Sequence, residues 1–286
     1  MRATTKLRTM FTAGRTIVAP GAFDGMSARL VEQAGFSAVY ASGGAMARSS
    51  GVPDIGLISP DEIVSRLATM VEVVGIPVIA DADTGYGNAL NAQRAARAFE
   101  RAGVAAFHLE DQAFPKKCGH YDDKTLVSVA EMVQKLRAVR DVLRDSDFIV
   151  IARTDAIAVE GYSAAIDRAG RYIEAGADVI FVEAPTSEAE IADIARRLPG
   201  WKLINMFQGG KTPLLPIARL QELGYHCVII PSDTQRAAVK AMQRVLATIA
   251  RDGSSAAMSA DMASFKERET IVDTAGFLDR DKNYAS

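Results

Sequence analysis

The chain has 286 residues, of which 49% are hydrophobic and 24% charged, with a formal net charge of −2. That balance suits a soluble globular protein and leaves no electrostatic footprint for nucleic acid or an acidic membrane surface. No apolar run approaches the ~20 residues that a bilayer requires. Residues 1–15 do not read as a secretory signal. The two cysteines, Cys118 in a polar loop and Cys227 in an apolar run, do not suggest a disulfide framework, so a cytoplasmic protein is expected.

Short apolar, β-branched runs recur at 17–22, 38–41, 78–80, 105–109, 148–152, 179–182, 203–205 and 228–230. Nearly continuous apolar strands of this length suit a parallel sheet buried on both faces. Helical patterns fall between them. The stretch 24–34 stops at Gly35, and 59–74 opens on Ser-Pro-Asp-Glu. The stretch 91–102 stops at Gly103, and 128–143 starts at Ser128 with Glu131 three residues on, a capping box. The stretches 163–175, 187–198 and 216–223 follow, the first and last stopping at Gly176 and Gly224. The phrases Glu32-Gln33-Ala34-Gly35, Glu100-Arg101-Ala102-Gly103 and Glu174-Ala175-Gly176 amount to weak internal repetition of one βα unit.

Eight such units of roughly 30 residues predict a (β/α)8 TIM barrel, one domain over 1–286. An open doubly wound sheet would need Gly-x-Gly-x-x-Gly after the first strand, and none is there. Past residue 232 the pattern is helical only, at 234–251 and 258–270. This extension, about 234–272, exceeds what a barrel needs and suits packing against a partner subunit. The polar stretch 273–286 is expected to be mobile.

Barrel enzymes carry their chemistry where strands end. Those ends here supply Asp24; Tyr40, Ser42, Gly43 and Gly44; Asp81 and Asp83; Glu110 and Asp111; Arg153 and Asp155; Glu183; Asn205; and Ser232 with Asp233. Carboxylates this dense repel one another, and a divalent cation relieves the repulsion; all-oxygen ligands favour Mg²⁺, with Mn²⁺ as a substitute. Asp81, Asp83, Glu110 and, from the loop after the second strand, Asp54 are the expected ligands. Asp81 and Asp83 read equally well as helix caps when taken alone. Ser42-Gly43-Gly44 reads either as successive N–H groups for a substrate carboxylate or as a plain turn. Arg153 is either a carboxylate clamp or half of a structural ion pair with Glu183 or Asp155. Asn205, Thr212 and Arg236 are candidates for a second carboxylate. The loop Lys116-Lys117-Cys118-Gly119-His120 sets a thiol beside two cations and an imidazole, which favours thiolate and acid–base chemistry. A zinc site is improbable with three histidines and no Cys-x-x-Cys. His108 and His226 read as structural.

Lys116-Lys117-Cys118-Gly119-His120 resembles the signature loop of the isocitrate lyase / phosphoenolpyruvate mutase superfamily. Tyr40-x-Ser42-Gly43-Gly44, Asp81-x-Asp83-x-Gly85-x-Gly87, His108-x-Glu110-Asp111-Gln112, Arg153-Thr154-Asp155, Glu183-Ala184 and Asn205-Met206 continue the resemblance in order from about residue 7 to 270. It implies a barrel with Mg²⁺ at its mouth, a homotetramer that exchanges a C-terminal helix, and a small-molecule carboxylate as substrate. The loop cysteine implies the lyase branch. There the reaction is cleavage of a 2-hydroxy di- or tricarboxylate to pyruvate and a second carboxylate such as succinate or propionate. Cys118 would donate a proton, Tyr40 or a metal-bound water would act as base, and Arg153, Lys117 and His120 would support them. Gly119 and Glu183 join the substrate contacts. Residues 205–213 resemble the alkylmalate-cleaving enzymes, whereas Arg236 resembles those acting on 2-methylisocitrate, so the substrate stays open between the two. Oxaloacetate decarboxylase or hydrolase chemistry and phosphonomutase-type chemistry are the rival activities on this scaffold. A non-catalytic binding barrel is the rival outside enzymes.

Overall fold

A computed structural model describes residues 1–119 and 123–285. The chain forms two compact units, Met1–Asp233 and Thr234–Ser286. In the first, eight parallel strands close into a barrel in sequence order. They are β1 (Ile17–Ala22), β2 (Val39–Ala41), β3 (Val78–Asp81), β4 (Ala106–Glu110), β5 (Ile149–Thr154), β6 (Val179–Val182), β7 (Trp201–Asn205) and β8 (Cys227–Ile230). The predicted barrel is therefore present, strand for strand. Closure is made by β1 against β8, in register from Ile17 with Cys227 to Pro20 with Ile230.

Side chains alternate in and out along each strand. One apolar cluster gathers Ile17, Ala19, Tyr40, Ile79, Ala106, Ile149, Ile151, Val179, Phe181, Leu203, Cys227 and Ile229, every second residue of the strands. These fill the barrel interior. The same parity carries Asp81, Glu110, Arg153, Glu183 and Asn205 to the inner face at the strands' C-terminal ends. Residues of the other parity, among them Val78, Ala80, Phe107, Leu109, Val150 and Ala152, join the larger cluster beneath the helices.

The helices of this unit are α1 (Ala3–Thr12), α2 (Gly25–Gln33), α3 (Gly43–Ser49), α4 (Pro60–Val73), α5 (Ala89–Ala102), α6 (Val129–Val142), α7 (Tyr162–Glu174), α8 (Glu188–Arg197) and α9 (Ile217–Glu222). The repeated glycines serve as expected: Gly35, Gly103 and Gly176 follow helices with φ of 85°, 85° and 104°, where a Cβ would be strained. Ser59 and Glu62 cap α4 reciprocally. At α6 only half of the expected box forms. Ser128 Oγ accepts from Glu131 N at 3.1 Å, while the Glu131 carboxylate lies 3.6 Å from Lys135 Nζ. α1, which the composition of residues 1–15 does not announce, closes the barrel floor. Leu7 and Phe11 are buried, and the Phe11 ring lies 5.0 Å from that of Trp201 at the start of β7. Burying two such side chains contributes roughly 1.5–3 kcal/mol each.

The second unit contains most of α10 (Asp233–Asp252), then α11 (Phe265–Ile271) and α12 (Thr274–Tyr284). The single helix expected over 258–270 is broken. A 3₁₀ turn covers Ala256–Asp261, and Ser264 then starts α11 through a capping box with Glu267. The segment expected to be mobile after 273 is instead α12. Its polar composition reflects exposure, not absence of helix. No described helix is long and apolar enough to cross a membrane.

Candidate active site at the barrel mouth

The mouth is crowded with buried charge. Lys116, from the loop after β4, places Nζ 2.5 Å from Asp54 Oδ1 and 2.7 Å from Asp83 Oδ1. Arg153, near the end of β5, lies 3.2 Å from Glu110 Oε2 and grips Asp155 with Nε at 2.9 Å and its terminal nitrogen at 3.0 Å. Its guanidinium also stacks 5.2 Å from the centre of the Phe181 ring. Lys124 pairs with Asp155 at 2.8 Å. Asn205 Nδ2 donates to Glu183 Oε1 at 3.4 Å.

Strand parity separates two neighbouring carboxylates. Glu110 faces the barrel. Asp111 faces the helices, where it accepts hydrogen bonds from Thr154 Oγ1 at 2.7 Å, Tyr172 OH at 2.8 Å and Asp155 N at 3.0 Å. Asp24 is likewise consumed as the cap of α2, accepting from Ser27 N at 2.7 Å. Asp111 and Asp24 therefore serve the scaffold.

Six carboxylates (Asp54, Asp81, Asp83, Glu110, Asp155, Glu183) meet three cations (Lys116, Lys124, Arg153) in this buried region. Burial drives the Glu110 carboxyl well above the usual range, against the pull of Arg153. Burial, with Asp81 and Asp54 adding to it, raises Asp83 to about 6 despite Lys116. Glu110 Oε1 has no hydrogen-bond partner among the described residues. Asp81, His108 and Glu110 can each offer one ligand atom, all within 4.8 Å of one another. The surplus negative charge and the orphaned oxygen fit a divalent cation held there.

His108 was read from the sequence as structural, yet it belongs to this group. Its Nε2 lies 2.7 Å from Tyr40 OH and 3.4 Å from Asp81 Oδ1. The signal available was parity: His108 and Glu110 are two apart on one strand and share a face. Burial lowers His108 to about 4, so the imidazole is neutral at pH 7. The tautomer with its proton on Nε2 lets Tyr40 accept from His108 and donate to Asp81 Oδ2 at 3.3 Å. Burial, reinforced by Asp81, pushes the Tyr40 phenol well above its ordinary value.

The remaining expected residues fall as follows. Ser42 caps α3, its Oγ accepting from Ala45 N at 3.2 Å. Gly43 abuts Asp81 so closely that a Cβ would lie 2.7 Å from Oδ2, and one on Gly44 would lie 2.7 Å from Asp54 Oδ2. Lys117 turns into its own loop and donates to Asp123 O at 2.9 Å, so Lys116 is the cation that reaches the strand-end carboxylates. Cys118 is a half-buried thiol. A Cβ on Gly119 would lie 2.5 Å from an Arg153 nitrogen and 2.8 Å from Glu183 Oε1. Segment 116–119 thus spans the mouth, from Asp54 and Asp83 to Arg153 and Glu183. Thr212 is buried in the loop after β7. Arg236 lies in the first turns of α10, in the second unit. His120 lies outside the described residues.

The phosphoenolpyruvate phosphomutase family model matches residues 7–250. The chain belongs to this family. It is 42% identical over 287 residues to a 2,3-dimethylmalate lyase of Eubacterium barkeri, covering 100% of this chain and 99% of that one. It is 43% identical over 274 residues to a 2-methylisocitrate lyase of Bacillus subtilis, covering 96% and 89%. Among solved structures, a 2,3-dimethylmalate lyase of the PEP mutase/isocitrate lyase superfamily superposes with a TM-score of 0.95 at 34% identity, covering 99% and 96%. A phosphonopyruvate hydrolase in complex with oxalate and Mg²⁺ superposes with a TM-score of 0.92 at 33% identity, covering 100% of both chains. The signature loop and strand-end motifs of this family member thus meet at one barrel mouth.

Lys116 compensates Asp54 and Asp83 in a buried setting, so its removal strands both charges. In metal-free protein, Lys116→Met is expected to cost about 3–5 kcal/mol at pH 8. Because the folded-state Asp83 value is raised to about 6, the folded form holds a proton that the unfolded form has lost, and stability falls as pH rises through that window. Losing Lys116 raises Asp83 further, so the deficit should narrow towards pH 5. Denaturation of both proteins in EDTA across pH 5–8 checks this; a pH-independent gap would refute it.

Proposed function

We propose that this chain is a divalent-metal-dependent carbon–carbon lyase that cleaves a 2-hydroxy di- or tricarboxylate. The substrate is an alkylmalate or 2-methylisocitrate, and the products are pyruvate and a second carboxylate such as propionate or succinate. The observation that carries the reading is the course of segment 116–119 across the mouth, which brings the Cys118 loop from Asp83 to Arg153 and Glu183. The lyase relatives, similar over nearly the whole chain, support it.

Asp81, His108 and Glu110 would hold the cation, Mg²⁺ or in its place Mn²⁺, with Asp83 and Asp54 close by. Bound there, it would supply Lewis-acid polarisation of the α-hydroxy-carboxylate. The N–H groups of Gly43 and Gly44, after Ser42, would receive a substrate carboxylate. Tyr40 takes the proton of the substrate hydroxyl as it passes its own to Asp81, so it ends protonated and is not a free phenolate base, and the freed oxygen becomes the ketone oxygen of pyruvate. As the carbon–carbon bond breaks, its electron pair passes to the leaving half as an enolate-like carboxylate. Arg153, fixed by Asp155, stabilises that charge. Cys118 Sγ then delivers a proton to the carbanion carbon, with Lys117 and His120 flanking it. Gly119 lets the loop lie flat on Arg153 and Glu183, excluding water. Asn205 and Thr212 would bind the group that distinguishes the two substrates.

A second reading, phosphonopyruvate cleavage, draws on the similar hydrolase structure. Phosphorus NMR with phosphonopyruvate separates it from the first. We also infer a homotetramer. Val239, Met242, Leu246 and Ile249 form an apolar stripe along α10, 41–64% exposed, with the 3–4–3 spacing of a helix face. Light scattering measures the assembly.

Pyruvate release from a panel of 2-methylisocitrate, 2,3-dimethylmalate, citramalate, oxaloacetate and isocitrate should show turnover with one of the first two, abolished by EDTA and restored by Mg²⁺. Full activity after exhaustive chelation would exclude the metal. Cys118→Ser should keep the fold and pyruvate binding while kcat drops by about 10²–10⁴-fold. Near-normal turnover in that variant would remove Cys118 from the mechanism.

A further inference from the structure

The loop that crosses the mouth is held at its base, at Lys116 and at Lys124. At its base, Gln112 bridges to Leu126, Ala113 N donates to Thr125 O, and Val127 N donates to Asp111 O. Arg168 of α7 pins the same base: its guanidinium donates to Val127 O at 3.0 Å and lies 3.3 Å from Asp111 Oδ2, while Glu160 grips its other edge. None of these contacts involves the arch that carries Cys118 and Gly119.

The arch is held at its 116 side by Lys116 on Asp54 and Asp83 and by the Gln112–Lys117 pair, and at its Gly119 side by a different residue. Lys124 has a side chain only 1% exposed, although it belongs to a polar loop at the mouth. Burying an ammonium is costly unless it is fully paired. Its Nζ donates to Gly119 O at 2.5 Å and to Asp155 Oδ1 at 2.8 Å. Asp155 is itself fully buried and spends both oxygens on Arg153. Arg153 in turn touches the space beside Gly119. The contacts run from Gly119 through Lys124 and Asp155 to Arg153 and back to Gly119, a closed circuit joining the loop to the β5 terminus.

We propose that the Lys124–Asp155 pair is the latch that seats the Cys118 loop, making Lys124 and Asp155 positioning residues for Arg153 and Cys118. The proposal rests on the lyase reading for what the latch serves, though not for its existence. Because Arg168 and the strand bridge secure the base, and Lys116 holds the 116 side on Asp54 and Asp83, breaking the latch frees the Gly119 side of the arch and leaves the rest in place. The Gly119 carbonyl loses its cationic donor, and the two oxygens of Asp155 are left to Arg153 alone. The reacting thiol then spends less time over the strand ends, which lowers kcat more than it weakens capture of substrate by groups on the strands.

The test uses the full chain, with Lys124→Met and the charge-conserving Lys124→Arg. Hydrogen exchange without substrate should rise about 10-fold or more in peptides from 113–127 of the Met variant, while amides of β4 and β5 keep their protection. Pyruvate release should lose about 10- to 100-fold in kcat with KM within about threefold, and Lys124→Arg should recover most of both. Unchanged loop exchange in Lys124→Met overturns the latch. So does exchange that rises through the whole barrel, which would make Lys124 a residue of global stability. The exchange measurement needs no substrate, so it decides the latch even if the unmodified enzyme releases no pyruvate from any compound in the panel.

Discussion

Buried charge at the open end of the barrel is the constraint on which the rest of the structure depends. Asp54, Asp81, Asp83, Glu110, Asp155 and Glu183 are drawn from several strand ends into a region where water cannot screen them. Desolvation of this kind must be offset by opposite charge or by protonation. The chain does some of both. Lys116 spans Asp54 and Asp83, Lys124 and Arg153 share Asp155, and Glu110 is pushed towards its neutral form. Two of the three cations come from the loop after β4, so electrostatic balance at the mouth and placement of that loop are one problem with one solution.

The same constraint explains why the mouth is ready for a cation. Arg153 satisfies one oxygen of Glu110 and leaves the other without a partner among the described residues. His108 is kept neutral by burial and turned towards Tyr40 and Asp81. An added divalent charge would draw Glu110 back to its ionised form and give the strand ends a common centre. Asp111, Arg168, Tyr172 and Thr154 hold the β4 and β5 ends from the helix side.

The scaffold is arranged to protect that geometry. α1 seals the floor through Leu7, Phe11 and Trp201. Alternate residues of the eight strands pack the interior, leaving only the upper inward positions for polar groups. Rigidity therefore resides in the strands.

The sequence by itself determined the barrel, because eight apolar runs separated by capped helices admit few other arrangements. It also determined that carboxylates, Arg153 and the Cys118 loop would lie at strand ends. It did not determine which of them meet. Asp111 and Glu110 are adjacent in the chain and lie on opposite faces of a strand. Lys116 and Lys117 are equally basic, yet Lys116 reaches Asp54 and Asp83 while Lys117 turns to a carbonyl of its own loop. His108 looks like any apolar-strand histidine until its parity with Glu110 and its distance to Tyr40 are known. Lys124 and Asp155 sit 31 residues apart, and Lys124 does not stand out in its own segment. Partner choice depends on the closing of strands that are distant in sequence and on the path of one loop across them. Local patterns register propensity and periodicity, whereas the pairing of buried charges is decided only when tertiary packing excludes water from between them.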